Sequence, residues 1–169
     1  MSWDAVLATP FGPFGIAVDA QGRVRRAAFL PGAHPRTDVP RRARAAARAV
    51  EAYLADPATP ALAAVPLVPA PGPFAARLRA LLAAVPAGAV LTYGEAARRL
   101  GSAPRAVASA LRANPVALFV PCHRVVAARG PGGYGGRDPR RVRVKLALLA
   151  HEGAPLAGVR NGKAPAHAA

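Results

Sequence analysis

Three consecutive residues of this chain, Cys122, His123 and Arg124, place a potential nucleophile, a potential base and a cation inside an apolar, strand-like run from Val120 to Val126. A thiol beside an imidazole can be deprotonated, and the thiolate is the reactive form of cysteine. The alternative is an inert, buried cysteine, which is more common in apolar runs. Neighbouring side chains of a strand point to opposite faces, so a shared pocket needs either a turn at Pro121 or a bridging water.

Charge is the strongest compositional signal. The 169 residues include 23 Lys and Arg against 8 Asp and Glu, which gives a net charge of +15. Arginine forms bidentate contacts with phosphate, so a polyanionic partner is one hypothesis. The alternative is that solvated arginine-rich faces reflect the codon bias of a GC-rich genome, and composition alone favours neither.

The single cysteine and the hydropathy of the chain limit the class of protein. One cysteine excludes an intrachain disulfide and a multi-thiolate zinc site, so we expect a reducing compartment and no metal. The N-terminus lacks a basic start followed by a long apolar core, and no apolar run approaches the roughly 18 residues that span a bilayer. The sequence therefore predicts a soluble, cytoplasmic protein without a membrane partner.

The first part of the chain has the pattern of a small α+β domain over residues 1–68. Short apolar segments separated by turn residues predict antiparallel strands, and alanine and valine at helical spacing predict one helix. These elements are expected over residues 5–8, 14–18, 24–30 and 41–54. A proline-rich stretch, residues 58–73, is typical of an interdomain linker.

The second part, residues 69–155, is predicted to be mainly helical. Helices are expected over residues 74–85 and 144–151. Two further short helices are expected on either side of the turn at Gly101, and the second of them is Pro104–Arg112. Thr92 and Glu95 have the spacing of a capping box. A glycine-rich loop over 130–136 and a basic run to Arg143 precede the last helix, and residues 156–169 are predicted to be a disordered tail.

The order of these motifs resembles the O6-alkylguanine-DNA alkyltransferase family over about residues 72 to 155. The resemblance rests on Tyr93, Arg105, the Asn114-Pro115 pair, the Pro-Cys-His-Arg-Val-Val box, the Gly-Tyr-Gly-Gly loop and the Glu152-Gly153 pair. It implies an α+β fold in which a small ribonuclease H-like domain, an antiparallel sheet with a helix, precedes a mainly helical winged helix-turn-helix domain.

The resemblance also implies a set of catalytic residues. Cys122 would accept the alkyl group, His123 would take the thiol proton through a water, and Glu152 would orient His123. Asn114 would brace the active-site turn. The alternatives are a solvated helix-end residue for Glu152 and an ordinary helix C-cap for Asn114.

Further residues would contact the substrate or the DNA. Tyr93 resembles the tyrosine that rotates the 3′ phosphate, and Arg105 resembles the finger that fills the gap left by a flipped nucleotide. The resemblance adds Arg112, Arg124, Tyr134, Gly135 and Lys145 to this set. Two departures stand out: many relatives have serine where this chain has Gly135, which removes a hydroxyl donor, and the stretch Arg137–Arg143 contains a basic insertion.

The implied function is DNA repair by direct reversal. A monomer would transfer the alkyl group of O6-alkylguanine, and of O4-alkylthymine, from double-stranded alkylated DNA to Cys122, once per molecule and without a cofactor. This is the activity of a methylated-DNA-protein-cysteine S-methyltransferase. The alternative is a non-catalytic lesion-binding protein that recruits excision repair; a transcription factor and a cysteine hydrolase have less support from the residues.

Overall fold

The computed structural model describes residues 2–155, so the predicted tail over 156–169 lies outside the described residues. The described residues form two compact units, one made of residues 2–69 and 115–119 and the other of residues 70–114 and 120–155. The predicted α+β class is confirmed, with a small antiparallel sheet and helices.

The first unit contains a three-stranded antiparallel sheet and one helix. Its strands are β1 Ala5–Leu7, β2 Phe14–Val18 and β3 Val24–Phe29, in the order β1-β2-β3, and its helix is α1 Arg44–Ala55, preceded by a 3-10 turn Arg41–Ala43. Each residue of β2 is buried, with Phe14 and Ile16 fully inaccessible. The sequence pattern predicted the strands to within one residue, and the predicted helix corresponds to the 3-10 turn and α1 taken together.

Two segments that the sequence assigned elsewhere extend this unit. Val24 donates to the carbonyl of Pro66 at 2.9 Å and accepts from Val68 at 3.0 Å, so part of the predicted linker pairs with β3. On another residue of β3, Ala27, the amide donates to Pro115 O at 2.8 Å. A proline lacks the amide donor but keeps its carbonyl, which is why such segments can line the edge of a sheet.

The second unit is mainly helical. Its helices are α2 Pro73–Ala83, α3 Tyr93–Leu100, α4 Pro104–Arg112 and α5 Pro139–His151, and its strands β4 Leu91–Thr92 and β5 Val125–Val126 pair in parallel. The capping box is present, since Glu95 N–H donates to the Thr92 hydroxyl and the Glu95 carboxylate accepts from Thr92 N–H. Gly101 closes α3 in the left-handed conformation, and Pro104 opens α4 at the predicted residue.

The last helix begins five residues earlier than the sequence predicted. The basic run that was expected to precede the helix forms the first turns of α5, because Asp138 caps them by accepting from Arg140 N–H at 2.9 Å. Arginine is a good helix former, so the run is compatible with this extension. None of the helices over residues 2–155 is both long and apolar enough to cross a bilayer.

Candidate active site

Cys122 lies in a 3-10 turn and not in a strand, which corrects the strand-like reading of this run. The turn comprises Cys122–Arg124, and the strand begins only at Val125. Arg124 N–H donates to Pro121 O at 3.1 Å, which closes the turn. The turn at Pro121 that the sequence left open is therefore present, and it is compatible with a water that bridges Cys122 and His123.

His123 and Glu152 form a buried pair. His123 Nε2 lies 2.7 Å from Glu152 Oε1, and both side chains are almost inaccessible to solvent. Arg124 donates to the same carboxylate from Nε, at 3.0 Å, and from Nη2, at 2.9 Å. Its Nη1 donates to Val85 O at 2.6 Å, so Arg124 holds the pair in place. Glu152 is thus a buried member of a network, and the solvated alternative is excluded.

The electrostatics of this network define the proton positions. Burial raises the pKa of Glu152, but hydrogen bonds and charge from His123 and Arg124 outweigh it and bring the pKa to about 2. Burial lowers the pKa of His123 more than Glu152 raises it. At neutral pH the imidazole is therefore neutral, and its Nε2–H donates to the ionised carboxylate.

The second imidazole nitrogen of His123 is left as an acceptor. Nδ1 is buried and has no hydrogen-bond partner within residues 2–155. A buried acceptor without a partner is uncommon, because it lowers the stability of the folded protein. Its presence therefore points to a function. The arrangement leaves a lone pair of His123 that can accept a proton one residue after Cys122.

The Cys122 thiol lies at a partly exposed position among polar groups. Burial raises the pKa of the thiol above its ordinary value, and the interactions with Asn114, Lys145 and Tyr134 offset only part of this rise. The structure thus brings Asn114, which follows α4, together with Tyr134 of the glycine-rich loop around the sulfur. Both were predicted from the sequence as site residues.

Lys145 is buried completely, which the sequence did not indicate. Its Nζ donates to Val125 O at 2.6 Å and to Gly133 O at 2.9 Å. Burial lowers its pKa to about 8, while the proximity of Cys122 raises it. The residue thus joins β5 to the glycine-rich loop and places a positive charge near the thiol. Only its position on α5, with the apolar Leu148 and Leu149, could have signalled burial.

The remaining predicted residues lie at the ends of helices or in the loop. Tyr93 starts α3, and its hydroxyl is 3.5 Å from Gly133 O, while burial and Cys122 raise the pKa of the phenol. Arg105 and Arg112, near the two ends of α4, are exposed, as is Gly135. Arg124 is predicted to contact the substrate or the DNA, but its guanidinium donates hydrogen bonds to the Glu152 carboxylate and to Val85 O.

One glycine of the loop is required by close packing. Gly132 has a φ of +71°, and a Cβ there would lie 3.0 Å from Tyr93 Cε2 and 3.2 Å from Ala127 N. A side chain at this position would be strained and would displace the tyrosine ring. Gly132 therefore allows the loop to pack against Tyr93.

Comparisons with known proteins give a consistent assignment for the second unit. Residues 73–154 match the model of the 6-O-methylguanine DNA methyltransferase DNA-binding domain. A methylated-DNA–protein-cysteine methyltransferase of Saccharolobus islandicus is 51% identical over 69 residues, which are 41% of this chain and 43% of the relative. The chain thus spans less than half the length of this curated relative.

Two crystal structures are similar over most of the chain. The O6-methylguanine methyltransferase of Mycobacterium tuberculosis has a TM-score of 0.69 at 27% identity, with 95% of this chain and 93% of that chain covered. A structure of the M. tuberculosis OGT in complex with DNA has a TM-score of 0.66 at 28% identity, with 88% and 91% covered. Both unit folds therefore have counterparts in a solved protein.

Proposed function

Because residues 73–154 belong to the 6-O-methylguanine DNA methyltransferase family, we propose that this chain repairs DNA by moving an alkyl group from O6-alkylguanine to Cys122. O4-alkylthymine is the lesser substrate, and each molecule acts once. The observation that carries the proposal is the buried His123–Glu152 pair directly after the lone cysteine.

The reaction is a displacement at carbon. The thiol proton passes through a water to His123 Nδ1, since the ionised Glu152 holds the proton of Nε2. The thiolate attacks the alkyl carbon, an S–C bond forms, and the C–O bond breaks with its electron pair remaining on guanine O6. The proton returns to the purine, so the products are guanine and a thioether.

Three residues near Cys122 stabilise the negative charge that forms on its sulfur in this step. Lys145 and the hydrogen bonds from Asn114 and Tyr134 stabilise the thiolate. Tyr93 lies next to the loop that would form the wall of the base pocket. A thioether is not readily reversed, so the protein is consumed by the reaction.

Access to a stacked guanine requires that the nucleotide leaves the duplex, which costs a few kcal/mol. We infer that the protein acts as a monomer on double-stranded alkylated DNA, with α3 and α4 forming a winged helix-turn-helix and the first unit a ribonuclease H-like domain. Arg105 at the start of α4 would fill the gap, and Arg112 would contact a phosphate. The net charge of +15 supports a polyanionic partner.

A lesion-binding protein without chemistry is the second candidate. It needs the same DNA surface but no acceptor thiol, and this chain has both Cys122 and the buried base beside it. The two candidates differ in one measurable product.

Intact-mass analysis distinguishes them. After incubation with duplex DNA containing one O6-methylguanine, we expect a gain of about 14 Da, mapped by peptide analysis to Cys122 and absent in Cys122→Ser. Tight lesion binding without a mass change would contradict alkyl transfer and favour the lesion-binding candidate.

A further inference from the structure

The basic first turns of α5 reach the glycine-rich loop of the candidate site. Arg141 Nη1 donates to Gly135 O at 3.2 Å, one residue after Tyr134, whose side chain opposes the rise in the pKa of Cys122. Arg141 lies in the segment that the sequence marked as an insertion. The basic first turn of α5 therefore contacts the loop that carries Tyr134.

The guanidinium of Arg141 occupies the space that a side chain at position 135 would fill. A Cβ built on Gly135 would stand 2.8 Å from Nη1, and 3.8 Å and 3.9 Å from Cδ and Cζ of the same arginine. The φ of Gly135 is +60°, which further favours glycine. A larger residue at position 135 would therefore require the flexible end of the Arg141 side chain to move.

Most donors of Arg141 are available. Its one hydrogen bond within residues 2–155 is the bond to Gly135 O, and the residue is exposed, so its other N–H groups are accessible to a ligand. Asp138, the nearby acid, is already used to cap α5 through Arg140 N–H. No described carboxylate neutralises Arg141.

We propose that Arg141 is a specificity-determining residue that donates hydrogen bonds to the acceptor edge of the alkylated base, in the place of the hydroxyl that position 135 lacks. The O6 and N7 atoms of guanine are both acceptors on one edge, which suits the fork of an arginine. A donor at O6 also stabilises the negative charge that develops there as the C–O bond breaks. This inference rests on the proposed function.

Single-turnover kinetics at saturating duplex DNA with one O6-methylguanine tests the inference on the full chain. We expect Arg141→Ala to slow transfer about tenfold, as for the loss of one charge-assisted hydrogen bond. Arg140→Ala, which removes the same charge from a neighbouring exposed position, should keep the wild-type rate.

Binding of undamaged duplex separates a base contact from a phosphate contact. A base contact leaves the affinity of Arg141→Ala and its salt dependence unchanged, whereas a phosphate contact reduces the salt slope by about one. A reduced slope with an unchanged saturated rate would overturn the inference, as would a wild-type rate in Arg141→Ala. If the wild type gains no alkyl group, the proposed function fails and this inference with it; a reactive wild type with an equally reactive variant refutes the inference alone.

Discussion

At the scale of single residues, Glu152 has two connected effects, because the same carboxylate fixes His123 and neutralises Arg124. Removing its charge leaves a buried cation and an imidazole whose tautomer is no longer specified. An oriented base loses much of its efficiency when its carboxylate partner is removed. The residue that lies 29 positions after His123 in the sequence is therefore part of the same catalytic unit.

Glu152→Gln tests this connection. We expect the single-turnover transfer rate to fall by about 100-fold, because the amide carries no charge to balance Arg124 or the imidazolium that forms when His123 accepts the thiol proton. Glu51→Gln, at an exposed position of α1, is the matched control and should retain the rate. A wild-type rate in Glu152→Gln would exclude Glu152 as the residue that orients His123.

The low pKa of Glu152 also predicts how stability depends on pH. A carboxyl whose pKa falls from 4.5 to about 2 on folding stabilises the native state above pH 4.5, and this contribution is lost as the pH falls towards 2. The shift corresponds to about 3 kcal/mol. Denaturant unfolding between about pH 6 and about pH 2.5, a range that spans the unfolded value of 4.5 and approaches the folded value of about 2, should show a steeper loss of stability in the wild type than in Glu152→Gln. Parallel curves would contradict the assigned pKa.

At the scale of elements, the sequence predicts features that depend on neighbouring residues, but it does not predict the contacts between elements. The spacing of Thr92 and Glu95 predicted a capping box, and Pro104 predicted the start of α4, because both depend on residues a few positions apart. The apolar run around Cys122 predicts a strand, but the residue lies in a turn. The turn depends on Pro121 and on packing that the apolar pattern does not reveal.

The same limit applies to the candidate site. Cys122, His123, Asn114 and Tyr134 could be predicted from their motifs, whereas the complete burial of Lys145 could not. Burial of that amine depends on two carbonyls, of Val125 and Gly133, which are separated from it by 20 and 12 positions in the chain. No pattern of residue types specifies such backbone partners.

The packing of the glycine-rich loop on α3 is an element-scale prediction. Gly132→Ala should lower the free energy of unfolding by about 1–2 kcal/mol through its left-handed backbone and should also slow transfer, because the new Cβ pushes against the Tyr93 ring. Gly130→Ala is the matched control: its φ is +83°, and its Cβ would meet nothing within 4 Å. Thermal unfolding of both variants measures the cost of backbone strain. Their single-turnover rates show whether displacement of the Tyr93 ring slows transfer.

The expected pattern is a similar loss of stability in the two variants but a loss of rate in Gly132→Ala alone. If Gly130→Ala were equally slow, backbone strain in the loop would explain the effect. The contact between Gly132 and Tyr93 would then have no specific role in transfer.

At the scale of the whole molecule, the net charge of +15 admits two explanations that a salt titration can separate. If the charge reflects composition alone, exposed arginines in either unit contribute equally to association with DNA. If the second unit binds the duplex, its arginines release counterions from phosphates and those of the first unit do not. The two units therefore provide an internal comparison.

Arg48, on α1 of the first unit, and Arg112, at the end of α4 in the second, are both exposed and carry the same charge. We expect Arg112→Gln to reduce the slope of log affinity against log salt by about 0.9 for undamaged duplex, as for the loss of one phosphate contact, and Arg48→Gln to leave it unchanged. Fluorescence anisotropy over roughly 50 to 300 mM salt measures both slopes, a range in which several phosphate contacts change affinity by orders of magnitude. Equal reductions would mean that the excess of arginine attracts DNA without a defined surface; a reduction in Arg112→Gln alone would assign the duplex to the unit that contains Cys122, where transfer requires it.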